Sequence, residues 1–207
     1  MWSKLVDKPI GQIAKAFYQA DSRRKFHNWD HVISNYGCAE SLNIAYDVDL
    51  DLANMFHDIV YDDLPEKEKR SAELFLLIYS AMSPIPDVNP DRVYQLIMTT
   101  AEHEIEDDPQ MVSIDLYNLS IQQRAIIDYE KVKQESKLLY GISDLVFAKA
   151  STEFMQQLLP RVIKYRDLAS IAEPEKSKFW QNVSEGVERV ISLNQAVLIY
   201  GETSANG

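Results

Sequence analysis

The chain has 207 residues, a formal net charge of −11 and a sequence pI near 4.8. That length fits one domain with room for a sizeable core. The acidic balance excludes a protein that coats duplex nucleic acid, because phosphate neutralisation needs clustered Lys and Arg. A small anionic substrate is not excluded, since a bound cation and a few local basic residues can reverse the field inside a cleft.

Apolar residues make up 46% and charged residues 26%, with only 6 Gly and 8 Pro. This is the balance of a globular protein, and the scarcity of glycine, proline and β-branched runs points to helix. The single cysteine, Cys38, rules out an intrachain disulfide and reads as a small buried hydrophobe. Met1 to Ile10 lacks the apolar core of a secretory signal, and no apolar run approaches the ~18 residues of a membrane span. The expected compartment is cytoplasmic, with no membrane partner.

Pro9 to Ala20 reads as a first helix with Ile13, Ala16 and Phe17 on one face. Ser22 to Lys25 is a polar, basic break. A second helix starts near Asn28 or Asp30, both good N-caps, and runs to about Tyr46 through Val32, Ile33, Tyr36, Ala39 and Leu42. Asp49-Leu50-Asp51 opens a third helix that reaches Val60, and a charged connector, Asp62 to Lys69, follows. Arg70 to Met82 carries an apolar face of Leu74, Leu77, Ile78 and Ala81. The prolines of Ser83-Pro84-Ile85-Pro86 make a loop. Pro90 suits the first turn of a helix that ends near His103. After an acidic run, Glu102 to Asp108, a shorter helix holds Met111, Ile114, Asp115 and Leu119. Ser120 to Gln123 matches a capping box for a helix to Tyr140, with Gly141 as C-cap. Ser143 to Leu159 is the next helix, stopped by Pro160, and a last one spans about 173 to 200, followed by a frayed tail. The reading is a single all-α domain over 1–207, a bundle of about eight to ten helices.

The chain holds four histidines: His27, His31, His57 and His103. His57 is adjacent to Asp58 within an apolar run, and Asp115 lies in an apolar context where an unpaired carboxylate is costly. Each histidine taken singly reads as an ordinary core or surface residue. Taken jointly with the two aspartates, they offer imidazole and carboxylate donors suited to a borderline divalent cation: Mn, Fe, Co, Ni or Zn. Spacing alone leaves the two readings balanced.

Phe26-His27-Asn28-Trp29-Asp30-His31-Val32 resembles the F/Y-H-N-x-x-H motif of a branch of the HD-domain superfamily of metal-dependent phosphohydrolases. Phe56-His57-Asp58-Ile59-Val60-Tyr61-Asp62 is similar to that branch's F-H-D-x-x-Y-D motif. Glu68 with Arg70-Ser71-Ala72, Thr99 to His103, Ile114-Asp115-Leu116 and Tyr129 to Glu135 resemble further segments, so the likeness runs from about Phe26 to Tyr165. The resemblance implies an HD-type helical domain and a divalent metal ion (Mg included) on His31, His57, Asp58 and Asp115. It implies Asp62 or Glu68 as the residue that handles the attacking water, alongside Asp58. It implies His27, His103, Arg70 and Lys133 as substrate-binding; Tyr61, four residues beyond His57, reads evenly as packing or as a further substrate-binding residue. Lys133 stands where Arg is expected, and the stretch after Asp115 departs from the D-L-A-I-L-G type.

Trp29, Phe17, Phe56, Phe75 and Phe147 are read as packing residues, and Arg23-Arg24-Lys25 as a solvated run. The implied function is hydrolysis of a phosphate ester or anhydride of a small phosphorylated metabolite, a nucleotide foremost. The phosphate bond cut is open, because a nucleoside triphosphate, cyclic nucleotide or alarmone would give different products. The alternative is a catalytically silent nucleotide-sensing or protein-interaction module. The long C-terminal helix leaves a homo-oligomer open.

Overall fold

The computed structural model describes residues 2–205 other than 104, 106 and 107, and only the backbone of 172 and 201–205. Among the described residues there are nine α-helices and no strand, as the sequence pattern implies. No helix is long and apolar enough to cross a membrane. The chain groups into two compact units, residues 1–115 and 116–207.

The first unit holds α1 (Pro9–Gln19), α2 (Trp29–Ser41), α3 (Val48–Phe56), α4 (Lys67–Ser80), α5 (Pro90–Glu102) and α6 (Pro109–Asp115). α3 runs through its centre and touches each of the other five. Leu50, Leu52, Ala53, Met55 and Phe56 leave no apolar side of α3 exposed, the pattern of a helix buried all round. Its polar residues are buried too and must be paired. Asp49 accepts from the Asn89 N–H at 2.9 Å and from Arg92 at 3.0 Å. Asp51 accepts from the hydroxyls of Tyr36 (2.7 Å) and Tyr46 (3.1 Å). Asn54 donates to the Val32 carbonyl at 3.1 Å and accepts from Asn35 at 3.0 Å. These bonds fix α3 against α2 and α5.

Several helix faces differ from the sequence pattern. α1 buries Ile10, Gly11, Ala14 and Tyr18, and leaves Phe17 42% exposed. α4 buries Ser71, Ala72 and Phe75, with Leu77 66% exposed. Its rotation is set where Ser71 bonds to Val60 and Phe75 packs edge-on to Phe56 at 5.2 Å. α2 stops at Ser41 rather than Tyr46, and α3 at Phe56 rather than Val60. Cys38 is fully buried and its thiol donates to the Ser113 carbonyl, in keeping with an inert core role. Trp29 packs against Tyr18.

The second unit holds a 3-10 helix (Tyr117–Ser120), α7 (Gln122–Tyr140), α8 (Asp144–Ala172) and α9 (Pro174–Ala205). The expected capping box is unused: Ser120 donates to the Tyr117 carbonyl, and Ile121 precedes α7 without a side-chain cap. Gly141 does close α7 in the left-handed region (φ 65°). α8 does not stop at Pro160 but continues to Ala172. An interior proline costs about 3 kcal/mol. Packing of α8 along α9, with Leu158, Val162 and Ala169 buried, offsets that cost. Tyr129, Phe147 and Val190 form a core cluster, and Asn194 links Tyr129 to Ser151 through two hydrogen bonds. α9 is helical through Ala205 where a tail was expected, while 206 and 207, like part of the acidic run 102–108, lie outside the described residues.

α9 approaches the 3-10 helix so closely that a Cβ at Gly186 would lie 2.0 Å from the Leu119 carbonyl oxygen. Gly186→Ala should therefore lower stability by about 1–3 kcal/mol. Urea unfolding followed by tryptophan fluorescence reads this, and an unchanged midpoint would contradict the close approach.

Candidate metal centre

Four side chains converge at the end of α3. Asn28 places the first. Its side chain accepts the N–H groups of Asp30 (2.9 Å) and His31 (3.3 Å), capping α2 so that His31 falls in the first turn, facing inward. His27 precedes the helix, so the two histidines do not share a helical face.

His57 caps the C-terminal end of α3, its own backbone still in the helical region (φ −58°, ψ −39°). Its Nδ1 lies 2.9 Å from the Asn54 carbonyl oxygen. A carbonyl only accepts, so Nδ1 carries a proton and Nε2 faces the cluster. That Nε2 is 3.0 Å from Asp58 Oδ2, 3.3 Å from Asp115 Oδ1 and 3.3 Å from His31 Nε2. His31 Nε2 lies 3.5 Å from Asp115 Oδ1 and 3.8 Å from Asp58 Oδ2. All four donor atoms lie within 4.8 Å of one another.

Two carboxylates and two imidazole nitrogens cannot share this volume without a positive charge between them. Burial pulls the His57 pKa down, but the charges of Asp58 and Asp115 and their hydrogen bonds win, and it rises well above the ordinary imidazole range. Burial likewise favours protonated Asp58 and Asp115. The charge of His57 outweighs this for both, aided at Asp58 by His27 and at Asp115 by bonds from His103, His31 and His57, so both carboxyls drop below the usual range. A divalent cation meets the same demand. Metal–ligand bonds of ~2.0–2.2 Å put neighbouring donors roughly 3–3.6 Å apart, close to the observed separations. The donor set therefore fits a cation.

Surrounding residues orient the four. His103 caps α5 in the left-handed region (φ 51°, ψ 46°), and its Nε2 lies 3.0 Å from Asp115 Oδ2. It holds the aspartate oxygen that faces away from His31 and His57. His27 stacks on Tyr61 at 3.9 Å between centroids, with its ring 6.0 Å from that of His31. Lys67 sits over the Tyr61 ring at 4.1 Å.

The other sequence-named residues lie outside this group of four. Asp62 and Arg70 pair with each other through two bonds of 2.9 and 2.5 Å, and Arg70 also donates to the carbonyls of Leu64 and Pro65. The bond from Arg70 is the largest influence holding the Asp62 carboxyl below its usual range. Glu68 lies in the first turn of α4, 3.9 Å from Lys67. It shares a helical face with Ser71, whose hydroxyl accepts the Val60 N–H at 3.1 Å. Lys133 lies on α7 in the second unit, paired with Glu130 at 2.7 Å.

Sequence reasoning passed over Asn54 and Arg24. Asn54 holds His57 through its main-chain carbonyl, which any residue at that position would supply, so its side chain gave no signal. Arg24, between Arg23 and Lys25, gave no signal; it is 6% exposed rather than solvated. No protein-family model, curated protein or solved structure matches the chain.

Because His57 holds its proton to unusually high pH, a cation must displace it. Metal uptake at pH 7 should release about one proton, and affinity should weaken as pH falls. Titration calorimetry in buffers of different ionisation enthalpy measures this; uptake without proton release would contradict the charge assignment.

Proposed function

We propose that the chain is a metal-dependent phosphohydrolase of the HD type, acting on a small phosphorylated metabolite, with nucleotides the foremost class. One observation carries the reading: His31, the adjacent His57-Asp58 pair and Asp115 follow the order of the H…HD…D pattern and bring their donor atoms within 4.8 Å of one another.

His31, His57, Asp58 and Asp115 would hold the cation. Such an ion polarises a phosphoryl oxygen and lowers the pKa of water. Asn54 and His103 keep His57 and Asp115 turned toward it. Glu68 takes the proton of the attacking water as its oxygen bonds to phosphorus; Asp62, committed to Arg70, is the poorer base. His27, held by Tyr61, gives a proton to the leaving oxygen as the P–O bond breaks. The products are phosphate and an alcohol, or two phosphates from an anhydride.

A screen of phosphorylated metabolites with Mn, Co, Fe and Mg, reading released phosphate, tests the activity. The double substitution His57→Ala, Asp58→Ala should remove both bound metal and turnover, and its retention of both would sink the assignment. Glu68→Gln should cost about 100-fold in kcat, with Asp62→Asn costing less. The Asp62–Arg70 pair occupies one candidate base and one candidate phosphate clamp, which favours a second reading, a silent nucleotide binder. A nucleotide-dependent rise in Tm with no turnover across these metals would select it.

A further inference from the structure

Arg24 is a buried cation whose described hydrogen-bond partners are main-chain carbonyls rather than carboxylates. Nη1 donates to the Ile59 carbonyl at 3.3 Å and Nη2 to the Asp58 carbonyl. Its Nε is buried without a partner, and its guanidinium lies 4.5 Å from the Tyr18 ring and 5.6 Å from the Tyr61 ring. Only 6% of the residue reaches solvent, so it is not placed to meet a substrate phosphate.

Its two acceptors belong to the segment where α3 ends. Past His57 the chain leaves the helix, and the carbonyls of Asp58 and Ile59 lose the helical partners that a further turn would supply. A planar fork presents several donors in a fixed geometry that meets two consecutive carbonyls at once; an ammonium on a flexible stem is less preorganised for it. The direction in which the backbone departs from α3 sets where the Asp58 side chain points. We propose that Arg24 is a positioning residue for the metal centre: it clamps the backbone at Asp58 and Ile59 and so aims the Asp58 carboxylate at His31, His57 and Asp115. This rests on reading that cluster as a metal centre.

The test uses the full chain with Arg24→Lys and Arg24→Met, and Co²⁺ as the probe. Three quantities are read: Co²⁺ affinity by chelator competition, the visible spectrum of the saturated protein, and Tm without metal. Co²⁺ affinity should fall by about 10–100-fold in Arg24→Met, with an altered spectrum, and Arg24→Lys should recover only part of the loss. Should Arg24→Met fail to fold, Arg24→Lys carries the comparison. A folded variant with lowered Tm but wild-type affinity and spectrum would overturn the proposal, leaving Arg24 a general stabiliser. Wild-type protein that takes up no Co²⁺ would overturn the metal centre itself, a result distinct from equal binding by wild type and variants.

Discussion

Two buried carboxylates that face two imidazole nitrogens need a positive charge among them, and much of the first unit is arranged around that need. Asp58 and Asp115 would repel each other in a low-dielectric interior. His57 Nε2, within 3.3 Å of both, is where the compensating charge enters, as a proton or through a cation. His31 stands beside it, and His103 and Asn54 each hold one of the converging side chains from behind. The cluster is built from three helices and their ends, so its geometry depends on how α2, α3 and α6 are packed.

That packing is governed by α3, a short helix with no exposed face. Its apolar residues supply burial in every direction. Its three polar residues, Asp49, Asp51 and Asn54, tie it by specific bonds to α2, α5 and the segments beside them. Such buried bonds are directional, and a shifted or rotated α3 would leave several unsatisfied. The same constraint that holds α3 in place therefore delivers His57 to the cluster in one orientation.

Local chemistry made part of this readable in the sequence. Asn28, Pro90, Ser143 and Gly141 mark helix ends through capping and fixed dihedrals, and the ends fall close to them. The four converging residues were readable as a set because histidines are few and the aspartates sit in apolar surroundings. What was not readable depends on tertiary partners. Pro160 stays within α8 because α9 packs alongside. α4 is turned by Ser71 and Phe75 rather than by its leucines. Asp62 and Arg70, named for separate roles, find each other first. Arg24 looks like its basic neighbours until the fold brings the Asp58 and Ile59 carbonyls to it.

The most direct measurement is a crystal structure of the protein grown with Mn²⁺, with data collected at the manganese absorption edge. A single anomalous peak bonded to His31, His57, Asp58 and Asp115 is the expected result. Crystals with no peak there, or with manganese bound only elsewhere, would contradict the assignment of this cluster as a metal centre.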